Sequence, residues 1–221
     1  MNPPEEIVFV VDDDARVREA LGELLESVGW RAETFAAAAD YVAYAKPDLP
    51  ACLILDVDLP DINGLDFQKQ LSCGVHPPIV FITGHGDIPS SVRAIQGGAV
   101  DFLTKPVGDN DLIAAVRAAI DRDRIQRSAS ADLADLVRRL AALTPREREV
   151  LPLVVSGLLN KQAAAELGIS EITLEIHRSK IMHKMEATSF ADLVRIAEKL
   201  QIPITHSRRP GSSQECTTRR P

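Results

Sequence analysis

Apolar and polar positions change rhythm midway along the chain. In the first half, short apolar runs alternate with stretches of helical periodicity. "IVFVV" (7–11), "CLIL" (52–55), "IVFI" (79–82) and "VDFL" (100–103) read as strands. Their near-continuous apolarity fits strands covered on both faces. "RAETF" (31–35) is a fifth strand, more alternating and therefore expected at an edge. Between the runs lie amphipathic helices, such as Arg16–Val28 with Gly29 as its C-terminal stop, and Ile88–Gln96 followed by Gly97 and Gly98. Strand–helix alternation of this kind predicts a parallel sheet with helices on both faces.

The second half is helix after helix. A helical pattern starts at Asp109 and runs to about Arg127, where "SASA" (128–131) is expected to interrupt it. A further helix, with Leu133, Leu136, Val137 and Leu140 at helical spacing, leads to Thr144. "TPRE" (144–147) and "SFAD" (189–192) are capping boxes, the first with proline at the opening helical position. Asn160 is expected to cap "KQAAAEL"; Gly168 breaks the chain and Ser170 caps the helix that follows. Ala163, Ala164 and Leu167 are expected to face inward, and Ile172, Ile176 and Ile181, with Met182 and Met185 nearby, to form the packing stripe of the next helix. Pro152 falls inside a helical pattern. It lacks an N–H and its ring clashes with the carbonyl of Arg148, so a kink or break is predicted near 148–152. The expected organisation is one domain over 5–121, a partly helical linker over 122–143, a helical domain over 144–205 and a polar, disordered tail over 206–221.

Composition narrows the function classes. No apolar run approaches the ~20 residues of a membrane span, and the N-terminal "MNPPEEIVFVVDDD" is acidic where a signal peptide is basic. A cytoplasmic protein without membrane contact is expected. Three cysteines with no CxxC indicate neither a disulfide framework nor a zinc site. Residues 1–127 carry 11 Lys+Arg against 21 Asp+Glu, and residues 128–221 carry 14 against 11. An acidic half joined to a mildly basic one suggests two different tasks.

The candidate chemistry sits where strands stop. "FVV" is followed by Asp12, Asp13 and Asp14, "LIL" by Asp56, "VFI" by Thr83, and "DFL" by Thr104 and Lys105. In an open parallel sheet these ends share one crevice. Carboxylates gathered there repel one another and need a cation or a task. Hard oxygen donors suit Mg²⁺, and a carboxylate can attack phosphorus to give an aspartyl phosphate, with the metal and a lysine offsetting the developing charge. Taken singly, these residues have ordinary readings. Asp14 and Asp61 are read as a cap and a loop charge, and His85 as a loop polar residue. "LILDVDLP" also resembles the nucleophile motif of haloacid-dehalogenase-type phosphatases, with Asp58 as general acid to Asp56, although Leu59–Pro60 departs from that pattern.

Together, "VVDDD", the "DxxxPxxxG" of Asp56, Pro60 and Gly64, "TGHGD" from Thr83, and "KP" at Lys105–Pro106 resemble the receiver domain of two-component response regulators. The resemblance implies an α/β flavodoxin-like fold, a five-stranded parallel sheet in the order 2-1-3-4-5. It implies that Asp56 accepts phosphoryl from a sensor histidine kinase. Asp12, Asp13, Asp56 and the backbone carbonyl of Asp58 would hold Mg²⁺. Thr83 and Lys105 would bind the phosphoryl group, Phe102 would be the aromatic switch, and the Lys105–Pro106 bond would be cis. The implied protein is not an enzyme beyond accepting phosphoryl and slowly losing it.

The pattern "LTPREREVL…GLLNKQAAAELGIS…T…HR…I…KM" over 143–200 resembles the LuxR-type helix-turn-helix domain of FixJ/NarL regulators, an all-α four-helix unit. It implies that Lys161, Arg178, Lys180 and Lys184 contact the DNA backbone. Glu175, Ile176 and Ser179 would face the bases, with His177 in the same DNA-facing set. Phosphorylation would remodel the 89–96, 100–103 and 109–120 face and drive homodimerisation on an inverted repeat in double-stranded DNA, with RNA polymerase a further candidate partner. A phosphorylation-independent DNA-binding regulator is the other reading, against which the intact acid pair, Thr83 and Lys105 stand.

Overall fold

The computed structural model describes residues 6–84 and 88–203. His85, residue 5 and the tail over 206–221 lie outside the described residues. The chain divides into two compact units, 1–129 and 130–221.

In the first unit, β1 (Ile7–Val11), β2 (Arg31–Phe35), β3 (Ala51–Asp56), β4 (Ile79–Thr83) and β5 (Asp101–Thr104) form a parallel sheet in the order β2-β1-β3-β4-β5. Every residue of β1, β3 and β4 is buried. Successive side chains point to opposite faces, so these strands feed two cores. Ile7, Phe9, Leu53, Leu55 and Phe81 pack on one face with Tyr41 and Phe67. Val8, Val10, Cys52, Ile54 and Val80 pack on the other with Leu25, Leu112 and Val116. These partners come from α1 (Ala15–Ser27), α2 (Ala38–Ala43), α3 (Gly64–Leu71) and the helix beginning at Asp109; α4 (Ile88–Gln96) adds Ala94. β2 and β5 are edges and only partly buried, as expected for "RAETF".

Two buried polar groups brace this unit. Asp123 accepts hydrogen bonds from the Ala51 backbone N–H (2.8 Å) and from Arg127 Nε (2.6 Å). Gln68 of α3 donates from Nε2 to the carbonyl of Ala94 in α4 (3.1 Å).

The interruption expected at "SASA" is absent. α5 runs unbroken from Asp109 to Ala141, and the division between units falls within it. Serine costs a helix only a few tenths of a kcal/mol relative to alanine, and neither glycine nor proline intervenes. Arg127–Asp123 and Arg139–Asp135 ion pairs at i,i+4 add support.

The second unit packs α6 (Pro145–Val155), α7 (Asn160–Leu167), α8 (Glu171–Lys184) and α9 (Phe190–Lys199) around Val150, Leu174, Ile181, Met185 and Leu193, with Leu136 and Leu140 of α5 against them. Pro152 does not break α6. The burial of Val150, Leu151, Leu153, Val154 and Val155 holds the helix through it. The packing stripe of α8 also differs from expectation. Ile172 and Ile176 are 72% and 50% exposed, while Leu174 and Ile181 are buried. Asn160 does not cap α7. Leu159 holds the cap position, its N–H donating to Gln162 Oε1 (3.1 Å), and Asn160 is the first helical residue. Its side chain is therefore free for a tertiary contact.

Candidate functional site

Strand register builds the first site. Val11 pairs with Leu55, so Asp12 follows β1 at the level where Asp56 ends β3. Asp56 pairs in turn with Ile82, and Thr83 lies one position further along β4, fully buried. Thr83 pairs with Thr104, and the Thr83 carbonyl accepts from the Lys105 N–H (2.7 Å). That contact fixes where the lysine leaves the sheet, and the Lys105–Pro106 bond that follows is cis. Residues far apart in sequence thus meet at the C-terminal edge of the sheet.

The Lys105 ammonium donates to Asp12 Oδ2 (2.6 Å) and to Asp56 Oδ2 (2.5 Å). Asp12 and Asp56 are 2% and 5% exposed. Carboxylate oxygens of Asp12, Asp13 and Asp56 lie within 4.8 Å of one another, with Asp13 exposed. Burial pushes the Asp12 carboxyl up, Lys105 and the Asp14 N–H pull it down, and Asp56 adds to the rise. Burial also opposes the Lys105 charge, but its bonds to Asp12 and Asp56 outweigh this and hold its pKa above the ordinary lysine value. The lysine stays protonated because two carboxylates share it.

The loop after Asp56 is shaped by close backbone approach. A Cβ on Gly64 would lie 2.3 Å from the Asp56 carbonyl oxygen, so only glycine fits there. The Gly64 N–H donates to the Val57 carbonyl (2.8 Å), and Asn63 caps α3 by accepting from the Leu65 N–H (3.0 Å). Asp58 is exposed, and its N–H donates to Asp56 Oδ1 (3.1 Å). Asp14 caps α1, accepting from the Arg16 N–H (2.8 Å), and Asp61 accepts from the Ala39 N–H (3.2 Å). Phe102 is half-buried, its ring centroid 6.1 Å from that of Phe81.

In the second unit, Lys161, Glu175, Ser179 and Lys180 are exposed, as is Ile176. His177 is half-buried, and its Nδ1 has no hydrogen-bond partner among the described residues. Arg178 donates from Nη1 to Asn160 Oδ1 (3.2 Å) and lies over the Phe190 ring (4.8 Å). Lys184 differs from the others. Its ammonium donates to Glu147 Oε2 (2.7 Å) and to the Ala142 carbonyl (3.3 Å), so it braces the unit instead of facing outward with Lys180. The same Glu147 oxygen accepts from the Thr144 N–H (2.8 Å), closing the capping box. Lys184 and the Thr144 N–H hold the Glu147 carboxyl down at about 2.

The "TPRE" capping box was visible in the sequence, but its third partner was not. Nothing local ties residue 147 to a lysine 37 positions on. Asn160, Phe190 and Asp123 were missed for the same reason: their contacts are tertiary.

Residues 8–117 match the family described as the response regulator receiver domain, and residues 141–197 match bacterial regulatory proteins of the luxR family. Nodulation protein W of Bradyrhizobium diazoefficiens is 50% identical over 91% of this chain and 89% of its own length. The transcriptional regulatory protein FixJ of Azorhizobium caulinodans is 43% identical over 88% of this chain and 93% of its own. The solved structure of the response regulator StyR is 43% identical, covers 88% of this chain and 99% of that one, and superposes with a TM-score of 0.77.

Proposed function

The chain belongs to the two-component response regulators, joining a receiver domain to a LuxR-type DNA-binding domain, and on that premise we propose that Asp56 is its phosphoacceptor. Membership implies a histidine kinase as phosphoryl source and DNA as a binding partner. It also removes the haloacid-dehalogenase-type reading of "LILDVDLP", since the receiver match spans that segment and its flanks.

The observation that carries the proposal is the Lys105 ammonium within 2.6 Å of both Asp12 and Asp56. A carboxylate oxygen of Asp56 would form the new P–O bond as the P–N bond of a phosphohistidine breaks, the electron pair remaining on the imidazole nitrogen. Lys105 and the Thr83 hydroxyl would then bind phosphoryl oxygens. Receiver domains typically bind Mg²⁺ at acidic residues. The donor set here fits such an ion: three carboxylates of hard oxygen and one ammonium leave two negative charges uncompensated. Asp12, Asp13, Asp56 and the Asp58 carbonyl would hold it. Bound Mg²⁺ supplies charge neutralisation at the transferring group.

In this reading Thr83 is drawn toward the phosphoryl group, Phe102 follows, and the face of α4, β5 and residues 109–120 of α5 becomes a homodimer interface. Ile88, Val92 and Ile95, all exposed at helical spacing on α4, support it. The free energy available is the difference in the phosphoryl group's affinity for the two states. Receiver function is assigned to 5–121 and DNA binding to 144–205, with 122–143 joining them. Two DNA units would meet an inverted repeat, Lys161, Arg178 and Lys180 on phosphates and Glu175, Ile176, His177 and Ser179 toward bases. The protein would work in the cytoplasm, with RNA polymerase as a further partner, and turn over no substrate beyond its own phosphoryl group. No helix among the described residues is long and apolar enough to cross a membrane.

The test is footprinting on promoter DNA with and without acetyl phosphate, alongside labelled phosphoryl incorporation. One phosphoryl per chain and a footprint that strengthens with the donor are expected. An unchanged footprint would favour the phosphorylation-independent regulator.

A further inference from the structure

Asn160 opens α7, yet its side chain takes no part in capping that helix. It reaches α8 instead. Its Nδ2 donates to Glu175 Oε1 (3.3 Å), and its Oδ1 accepts from Arg178 Nη1 (3.2 Å). A carboxylate only accepts and a guanidinium only donates, so the two neighbours dictate which way the amide faces. No other uncharged side chain but an amide offers both a donor pair and an acceptor at this reach. Arg178 is held on a second side by the Phe190 ring at 4.8 Å.

We infer that Asn160 is a positioning residue for DNA readout: its amide sets Glu175 for a base edge and Arg178 for a phosphate. This rests on the DNA-facing roles proposed for those two residues. Glu175 and Arg178 lie three apart on α8, on neighbouring helical positions, and one amide from α7 spans both. A glutamate free to sweep its rotamers reads a cytosine amine poorly, because the bond then has to order the side chain at the moment of contact. A guanidinium pinned by one of its five donors keeps the others for phosphate oxygens. The shared amide therefore links sequence preference to backbone affinity through a residue that need not touch DNA.

Substitution separates the two halves of the role. Asn160→Asp keeps an acceptor for Arg178 but sets a carboxylate against Glu175. Asp in the first turn suits the helix dipole, so α7 is expected to fold. Asn160→Ala removes both contacts. Full-length chain treated with acetyl phosphate is used to select from a randomised duplex library, and binding of the enriched duplex is followed against salt. Asn160→Asp is expected to lose about tenfold preference at one base pair, the size of a single good base contact, with the salt slope unchanged. Asn160→Ala is expected to lose the same preference and also to lower the slope of log affinity against log salt by about one. Glu175→Ala is the control for the underlying reading. Should Glu175→Ala relax one position while Asn160→Asp leaves it sharp, the positioning role is wrong. Should Glu175→Ala change no position, the base-reading role of Glu175 fails and the inference falls with it. A uniform loss of affinity across all sequences with Asn160→Asp would also overturn it, since that is what mere destabilisation gives.

Discussion

Among the described residues, two lysines pair with buried acids, and the two sites are built to opposite ends. Glu147 meets Lys184 at 2.7 Å and the Thr144 N–H at 2.8 Å, so one carboxylate has one cation and a backbone donor. Lys105 instead serves two buried carboxylates, with Asp13 close by. The first arrangement is complete and its acid is driven far below its ordinary range. The second is short of positive charge, and burial pushes Asp12 the other way. Removing the partner of a matched buried acid is costly, whereas a cluster with more carboxylates than ammonium suits a bound cation.

Breaking the comparison begins with the largest effect. Asp56→Asn is expected to abolish acetyl phosphate-dependent labelling and the dimer shift in size-exclusion chromatography; retention of either would remove Asp56 from its role. Next comes the structural pair. Lys184→Met leaves Glu147 buried without its cation and should destabilise the helical unit by about 3 kcal/mol, read from urea-dependent hydrogen exchange of α6 and α8. Proline 152 gives a related test in the same helix. Pro152→Leu restores the N–H missing beneath Arg148 and should raise the urea midpoint of that unit by an equivalent of about 1–3 kcal/mol; no change or a drop would contradict the strain argument.

The pH dependence of Glu147 has a definite sign. Its carboxyl titrates at about 2 in the fold against 4.5 ordinarily. The unfolded chain therefore binds the proton first as pH falls. The stabilisation is complete above pH 4.5 and is lost as pH drops from 4.5 toward 2. The urea midpoint of α6 and α8 should fall across that window, and Glu147→Gln should flatten the fall. The smallest effect sharpens the contrast. Asp12→Asn removes a surplus buried charge and should leave the receiver unit slightly more stable, by about 1 kcal/mol, while weakening phosphorylation. A marked loss of stability would show that Asp12 braces the fold as Glu147 does.

Much of the receiver fold was legible because its central strands are buried on both faces and leave continuous apolar runs. The site was legible because its parts fall at strand ends, where sheet topology forces convergence. What escaped was tertiary or marginal. "SASA" read as a break because serine prefers caps, but nothing at 128–131 prevents helix. Ile172 and Ile176 read as core because they are apolar, yet α8 turns Leu174 and Ile181 inward and leaves the isoleucines outward. Lys184 looked like its neighbour Lys180. Only the position of Glu147, on a different helix, distinguishes a brace from a surface charge.

Gln68 would set a threshold for the proposed movement of α4. Gln68 is 3% exposed, its amide bonds the carbonyl of Ala94, and a Cβ on Gly97 would come 2.6 Å from its Oε1. Sliding α4 away from α3 would leave that buried amide without its acceptor, at about 1–3 kcal/mol, while the Ala94 carbonyl keeps the Ala99 N–H (3.1 Å). In the proposed switch, either phosphorylation outweighs this latch or α4 travels with α3 still attached.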